Sequence, residues 1–129
     1  MREGLQQRAL SLMRIVVAFT FICHGVQKFL GAFGGFGGHA AATGSLLWVA
    51  GLVESIGGLL LILGLFTRPV AFILCGEMAV AYFIQHAPRG VWPLLNGGEL
   101  AVLYCFVFLY LAIAGGGSVS LDRLLRKKP

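Results

Sequence analysis

Charge is scarce in this sequence. Only 12% of its 129 residues are charged, with five acidic side chains against ten lysines and arginines. That excludes an ordinary soluble domain, which needs far more polar surface to face water. The net charge of +5 does not point to nucleic acid, because the basic residues stand at the ends of apolar runs and form no solvated base-reading patch. Cysteine is sparse too. Cys23, Cys75 and Cys105 are far apart in sequence, lie inside apolar runs and form no C-x-x-C pair. Neither a zinc knuckle nor a thioredoxin-like dithiol is supported, and the thiols read as small apolar packing residues. No haem, flavin or iron–sulfur ligation pattern occurs, so no intrinsic cofactor is expected. A metal site is not expected either, since Lys28 stands one helical turn from His24.

What is present is apolar length. Hydrophobic residues make up 58% of the chain, and its mean hydropathy is +0.88. The runs are too long for a small globular core to bury, so lipid must be the solvent for most of this surface. Spans are expected at about residues 10–30, 45–66, 69–85 and 97–114. Each is near the ~20 residues that cross a ~30 Å hydrocarbon core. Period-two alternation is missing, which favours helices over strands. The expectation is therefore an all-α fold, a four-transmembrane-helix bundle forming one domain over residues 1–129. Pro69 suits the first helical position of the third span, and the glycines at 115–117 end the fourth. The first span reads as a retained helix and not as a signal peptide, because His24, Gln27 and Lys28 separate its apolar run from any small-residue cleavage site.

Positive charge sets the orientation. Arg2, Arg8, Arg14, Arg68, Arg123, Arg126, Lys127 and Lys128 fall on one side, against Lys28 and Arg89 on the other. Both termini are thus expected to be cytoplasmic. Trp48 and Trp92 then sit at the outer interface, Arg68 anchors the cytoplasmic turn, and Arg14 snorkels to the cytoplasmic face.

The residues that lipid burial would forbid carry the functional reading. They are His24, Gln27, Lys28, Glu54, Glu77, Asn96 and Glu99. At ~1.5 Å per residue, His24 lies roughly 9 Å below its outer helix end, and Glu54 and Glu77 lie roughly 13 Å deep. Thr20, His24, Gln27, Lys28 and Gly31 share one stripe of the first helix, as Gly51, Glu54, Ser55 and Gly58 do on the second. Small residues flanking a carboxylate let another backbone approach, so Glu54 should turn inward. A carboxylate in hydrocarbon costs ~2.5 kcal/mol or more on insertion scales, so the site must pair charges, hold protons or admit water. At least one of Glu54 and Glu77 is expected to be protonated at neutral pH. Each residue has a structural alternative. Asn96 and Glu99 match a helix N-cap with its capping-box partner. Glu54 and Glu77 could be polar glue between helices, and Arg89, His39 and His86 could be plain loop residues.

These residues fall in motifs that resemble the DoxX family of bacterial membrane proteins. The likeness covers nearly the whole chain: His24-Gly25-Val26-Gln27-Lys28, Gly51-Leu52-Val53-Glu54, Gly64-Leu65-Phe66-Thr67-Arg68-Pro69, Gly76-Glu77-Met78 and Asn96-Gly97-Gly98-Glu99. The resemblance implies a four-helix protein of the bacterial cytoplasmic (inner) membrane, with links to quinone-coupled and thiol redox chemistry. Two functions follow. The first is a redox membrane subunit, with His24, Glu54 and Glu77 as catalytic residues and Gln27, Lys28, Asn96, Glu99 and Arg89 binding a quinone-like or other small molecule. Phe21, Phe106 and Tyr110 would pack the ring, and a partner protein would supply electrons. The second is a non-enzymatic membrane module for small-molecule transport, binding or assembly, whose small-residue faces permit a homo-oligomer.

Overall fold

The computed structural model describes residues 1–127; Lys128, counted above among the cytoplasmic charges, and Pro129 lie outside the described residues. Among the described residues the regular structure is helical, apart from an isolated antiparallel bridge between Phe36 and His39. The chain forms two compact units: Met1–Phe66 together with the stretch from Gly116 onward, and Thr67–Gly115.

The first unit opens with helix α1, Arg2–Leu30. It starts well before the expected residue 10. Hydropathy marks only the apolar run, whereas the leading Arg, Glu, Gln and Leu residues are good helix formers and carry the same helix outward. Glu3 in the first turn suits the positive end of the helix dipole. The helix ends at Gly31, whose left-handed backbone (φ 75°) lets its N–H return to the Val26 carbonyl. A short 3-10 turn follows at Ala32–Gly34. Helix α2, Leu46–Leu63, is capped by Ser45, whose Oγ accepts from the Trp48 N–H at 3.2 Å. It closes at Gly64 (φ 67°), short of the expected residue 66, because the left-handed residue ends the helical run there.

Arg14 corrects the sequence reading. It does not snorkel outward but is 1% exposed. Its Nε donates to the Leu61 carbonyl at 2.7 Å, Nη1 donates to Gly116, and Nη2 donates to Val119 at 2.8 Å. The carbonyls freed at the end of α2 and in the incoming C-terminal stretch are thus satisfied by one planar donor fork. Ser11 reinforces the same junction, its Oγ accepting from the Val119 N–H at 2.9 Å. The tail itself is partly helical: a short helix spans Leu121–Arg126, and Asp122 in it accepts from the Phe66 N–H at 2.8 Å.

In the second unit, helix α3 spans Thr67–Ala81 and runs on through a π-helical turn, Tyr82–His86, and a 3-10 turn, Ala87–Arg89. Pro69 sits within the first turn and not at its first position, which costs nothing because first-turn N–H groups have no helical partner. Next come the short helix α4, Pro93–Asn96, and helix α5, Glu99–Ala114. Gly97, left-handed at φ 75°, separates the two, so the fourth apolar helix starts at Glu99 and not at residue 97. The Arg68 guanidinium lies against Gly115, within 3.3 Å of where a Cβ would be.

Arg2–Leu30, Leu46–Leu63 and Thr67–Arg89 are long and apolar enough to cross a membrane, and Glu99–Ala114 is a shorter apolar helix. Its 16 residues would extend roughly 24 Å at ~1.5 Å per residue. Large apolar side chains such as Leu12, Phe19, Phe72, Phe106 and Ile113 are exposed along these helices. Exposed apolar faces of this extent are matched by lipid, not by water.

Candidate functional site

The site in the first unit is created by missing side chains. α1 and α2 approach so closely at Gly25, Gly51 and Gly58 that added Cβ atoms would collide. A Cβ on Gly25 would lie 2.7 Å from the Ser55 backbone nitrogen, and one on Gly51 would lie 2.9 Å from the Gly25 carbonyl oxygen. This close approach brings Lys28, on the last turn of α1, beside Glu54 in the middle of α2. Lys28 Nζ donates to Glu54 Oε1 at 2.5 Å. Glu54 is 1% exposed and the Lys28 side chain 17%. The inward turn of Glu54 expected from its glycine-flanked stripe is what the helices adopt. Ser55 adds no ligand to the carboxylate; its Oγ donates to the Gly51 carbonyl at 2.7 Å.

The pair is a compensated charge in an apolar setting. A buried ion pair holds when geometry is good and the remaining polar atoms find partners, since neither ion is solvated by water. Here one carboxylate oxygen is engaged. The other, Oε2, is buried and has no hydrogen-bond partner among the described residues. It can accept from a donor carried by a bound molecule, or bear a proton. His24 and Gln27, on the same helix as Lys28, are half-buried. Phe29 and Trp48 pack ring to ring at 5.2 Å near the same helix ends. Phe21, expected to pack a ligand ring, is buried at 1% exposure, whereas Phe106 and Tyr110 are exposed.

The remaining sequence-predicted site residues belong to the second unit. Glu77 lies on α3 with both carboxylate oxygens enclosed. Arg89 and Glu99 are exposed. Asn96 is buried and fully engaged: its Nδ2 donates to Tyr82 Oη at 3.2 Å and to the Gly90 carbonyl at 2.9 Å, and its Oδ1 accepts from the Gly98 N–H at 2.8 Å. The capping box read from Asn96 and Glu99 is therefore not formed. Gly98 is the N-cap of α5, and the left-handed Gly97 turns the Asn96 side chain onto the loop instead.

Two features of this unit have no sequence signal. The π turn brings His86 to the loop, with Nδ1 3.2 Å from the Asn96 carbonyl oxygen, and π-helical turns recur at functional sites. Cys75 on α3 and Cys105 on α5 meet with their sulfurs 3.7 Å apart. Among the described residues no cluster of three or more His, Cys, Asp or Glu side chains is arranged to hold a metal ion.

Comparison with known proteins fits this architecture. A family model described as DoxX matches residues 9–87. An uncharacterized protein of Haemophilus influenzae is 50% identical over 92% of both chains. The inner membrane protein YqjF of Escherichia coli is 32% identical over 98% of both. A Bacillus subtilis protein carrying the name "Putative oxidoreductase CatD" is 27% identical over 90% of this chain and 86% of its own. No solved structure matches the chain.

Proposed function

Because the chain belongs to the DoxX family and is a multi-pass protein of the bacterial inner membrane, we propose that it is the membrane subunit of a redox system. Its ligand is a quinone-like headgroup held at the Lys28–Glu54 pair. The observation that carries this reading is the buried, half-engaged carboxylate: Glu54 Oε1 is held by Lys28 while Oε2 stands without a protein donor among the described residues. A quinone carbonyl accepts a hydrogen bond and a quinol hydroxyl donates one. An ammonium beside a carboxylate offers both, and Glu54 with His24 can take up or release the protons that quinone chemistry moves. Glu77 is assigned as a second proton-holding carboxylate, within its own unit. The name carried by the Bacillus subtilis relative supports redox work. A partner protein exchanges electrons with this subunit, and both termini face the cytoplasm as the basic residues dictate.

The test uses the whole chain in lipid nanodiscs. Decylubiquinone should raise the unfolding temperature of the wild type and fail to raise that of Glu54→Gln. An equal shift in both would overturn the assignment. A response to an unrelated solute, with none to quinone, would favour the non-enzymatic membrane module.

A further inference from the structure

We propose that Cys75 and Cys105 form a redox-active dithiol that closes to a disulfide while passing two electrons to a membrane quinone. The choice of acceptor rests on the quinone-linked reading above; the dithiol itself rests on separate geometry in the second unit.

The two thiols are separated by 30 positions in sequence and reach each other only because α3 packs on α5. Their sulfurs stand at 3.7 Å, in S–H···S contact. A disulfide needs about 2.05 Å, a closure within reach of side-chain rotation when two sulfurs already touch. The residues preceding them, Leu74 and Tyr104, are both buried, so each helix is held firmly beside its cysteine. The cysteines themselves are only half-buried. Phe72, one turn before Cys75, and Leu109, one turn after Cys105, are exposed. The approach to the sulfurs therefore runs along an apolar helix face of the kind that meets hydrocarbon.

That setting selects the oxidant. Thiol–disulfide exchange in water proceeds through a thiolate, and hydrocarbon disfavours a bare charge. A quinone avoids the charge, because it accepts electrons and protons together. In the balanced step two S–H bonds break and one S–S bond forms. The two electrons and two protons convert both quinone carbonyls to hydroxyls, and the quinol leaves through the lipid. The pair thus gives the chain a two-electron store built from its own residues.

The experiment takes the reduced full chain in nanodiscs and adds decylubiquinone, whose fully substituted ring leaves no open position for thiol addition. Thiols are then counted by maleimide mass-tagging after denaturation. The expected result is a fall from the three cysteine thiols of the chain to one, reversed by dithiothreitol, with one quinone reduced per chain. Cys23→Ser should still oxidise, whereas Cys75→Ser and Cys105→Ser should not. Three reactive thiols after quinone treatment would overturn the proposal, even where the strong oxidant diamide links the pair. If the thiols stay reduced while quinone still raises the unfolding temperature through Glu54, the dithiol falls and the binding reading stands. Oxidation without a Glu54-dependent thermal response supports the dithiol and removes the Lys28–Glu54 assignment. Neither response overturns both.

Discussion

Lys28 reaches across from α1 to a carboxylate that water does not touch, and each partner makes the other tolerable. Removing one member of a buried pair strands the second, at a cost of about 3–5 kcal/mol, whereas replacing both with apolar or neutral groups is far milder. Lys28→Met is therefore expected to destabilise the protein sharply, and Lys28→Met combined with Glu54→Gln to recover most of the loss. A double-mutant cycle by chemical denaturation in detergent checks this; additive effects would mean the two side chains do not act together. Both residues were legible in the sequence, as ionisable groups in apolar runs flanked by small residues. That they pair with each other was not, because helical phase gives the face a side chain occupies and not its partner. Arg14 was misread for a related reason. Hydropathy registers a charge near a helix end, but not the carbonyls of Leu61, Gly116 and Val119 that await it.

The α1–α2 contact is made by glycine, and glycine elsewhere in the chain is a control for it. A Cβ at Gly51 would meet Lys28 Cβ at 2.7 Å and the Phe29 backbone nitrogen at 2.9 Å, whereas a Cβ at Gly76 would meet nothing within 4 Å. Gly51→Ala should therefore cost about 1–3 kcal/mol through overpacking. Gly76→Ala should be neutral or slightly stabilising, since alanine is favoured over glycine in a helix by up to about 1 kcal/mol. Thermal unfolding of the two variants side by side decides it; equal losses would show that Gly51 is not a packing requirement. The helices themselves could be read from apolar run length, and the stripe of Gly51, Glu54, Ser55 and Gly58 from their spacing. Their ends could not. Arg2 and Glu99 begin helices where hydropathy gives no cue, and the π turn at Tyr82–His86 packs against Asn96 and Gly98, contacts with a later segment that apolar run length does not register. The Cys75–Cys105 contact was hidden for the same reason that any contact between distant segments is hidden. It exists only after α3 and α5 have packed.

At the scale of the whole molecule, the distribution of Arg and Lys predicts one orientation in the bilayer. In a cysteine-free background, Gly4→Cys should react with a membrane-impermeant maleimide only in inside-out vesicles, and Gly37→Cys only in intact spheroplasts. The opposite pattern would invert the topology and place Lys28 and Glu54 in the cytoplasmic half. Connectivity has a further effect on how such a chain is made. Arg14 leaves the ribosome well before its acceptors, because the carbonyls of Gly116 and Val119 that receive it are synthesised 102 and 105 residues later. The first helix enters the lipid carrying a cation whose acceptors do not yet exist. Its seating is completed only when the stretch holding Gly116 and Val119 arrives, so the locking of this helix waits on a segment made long after it.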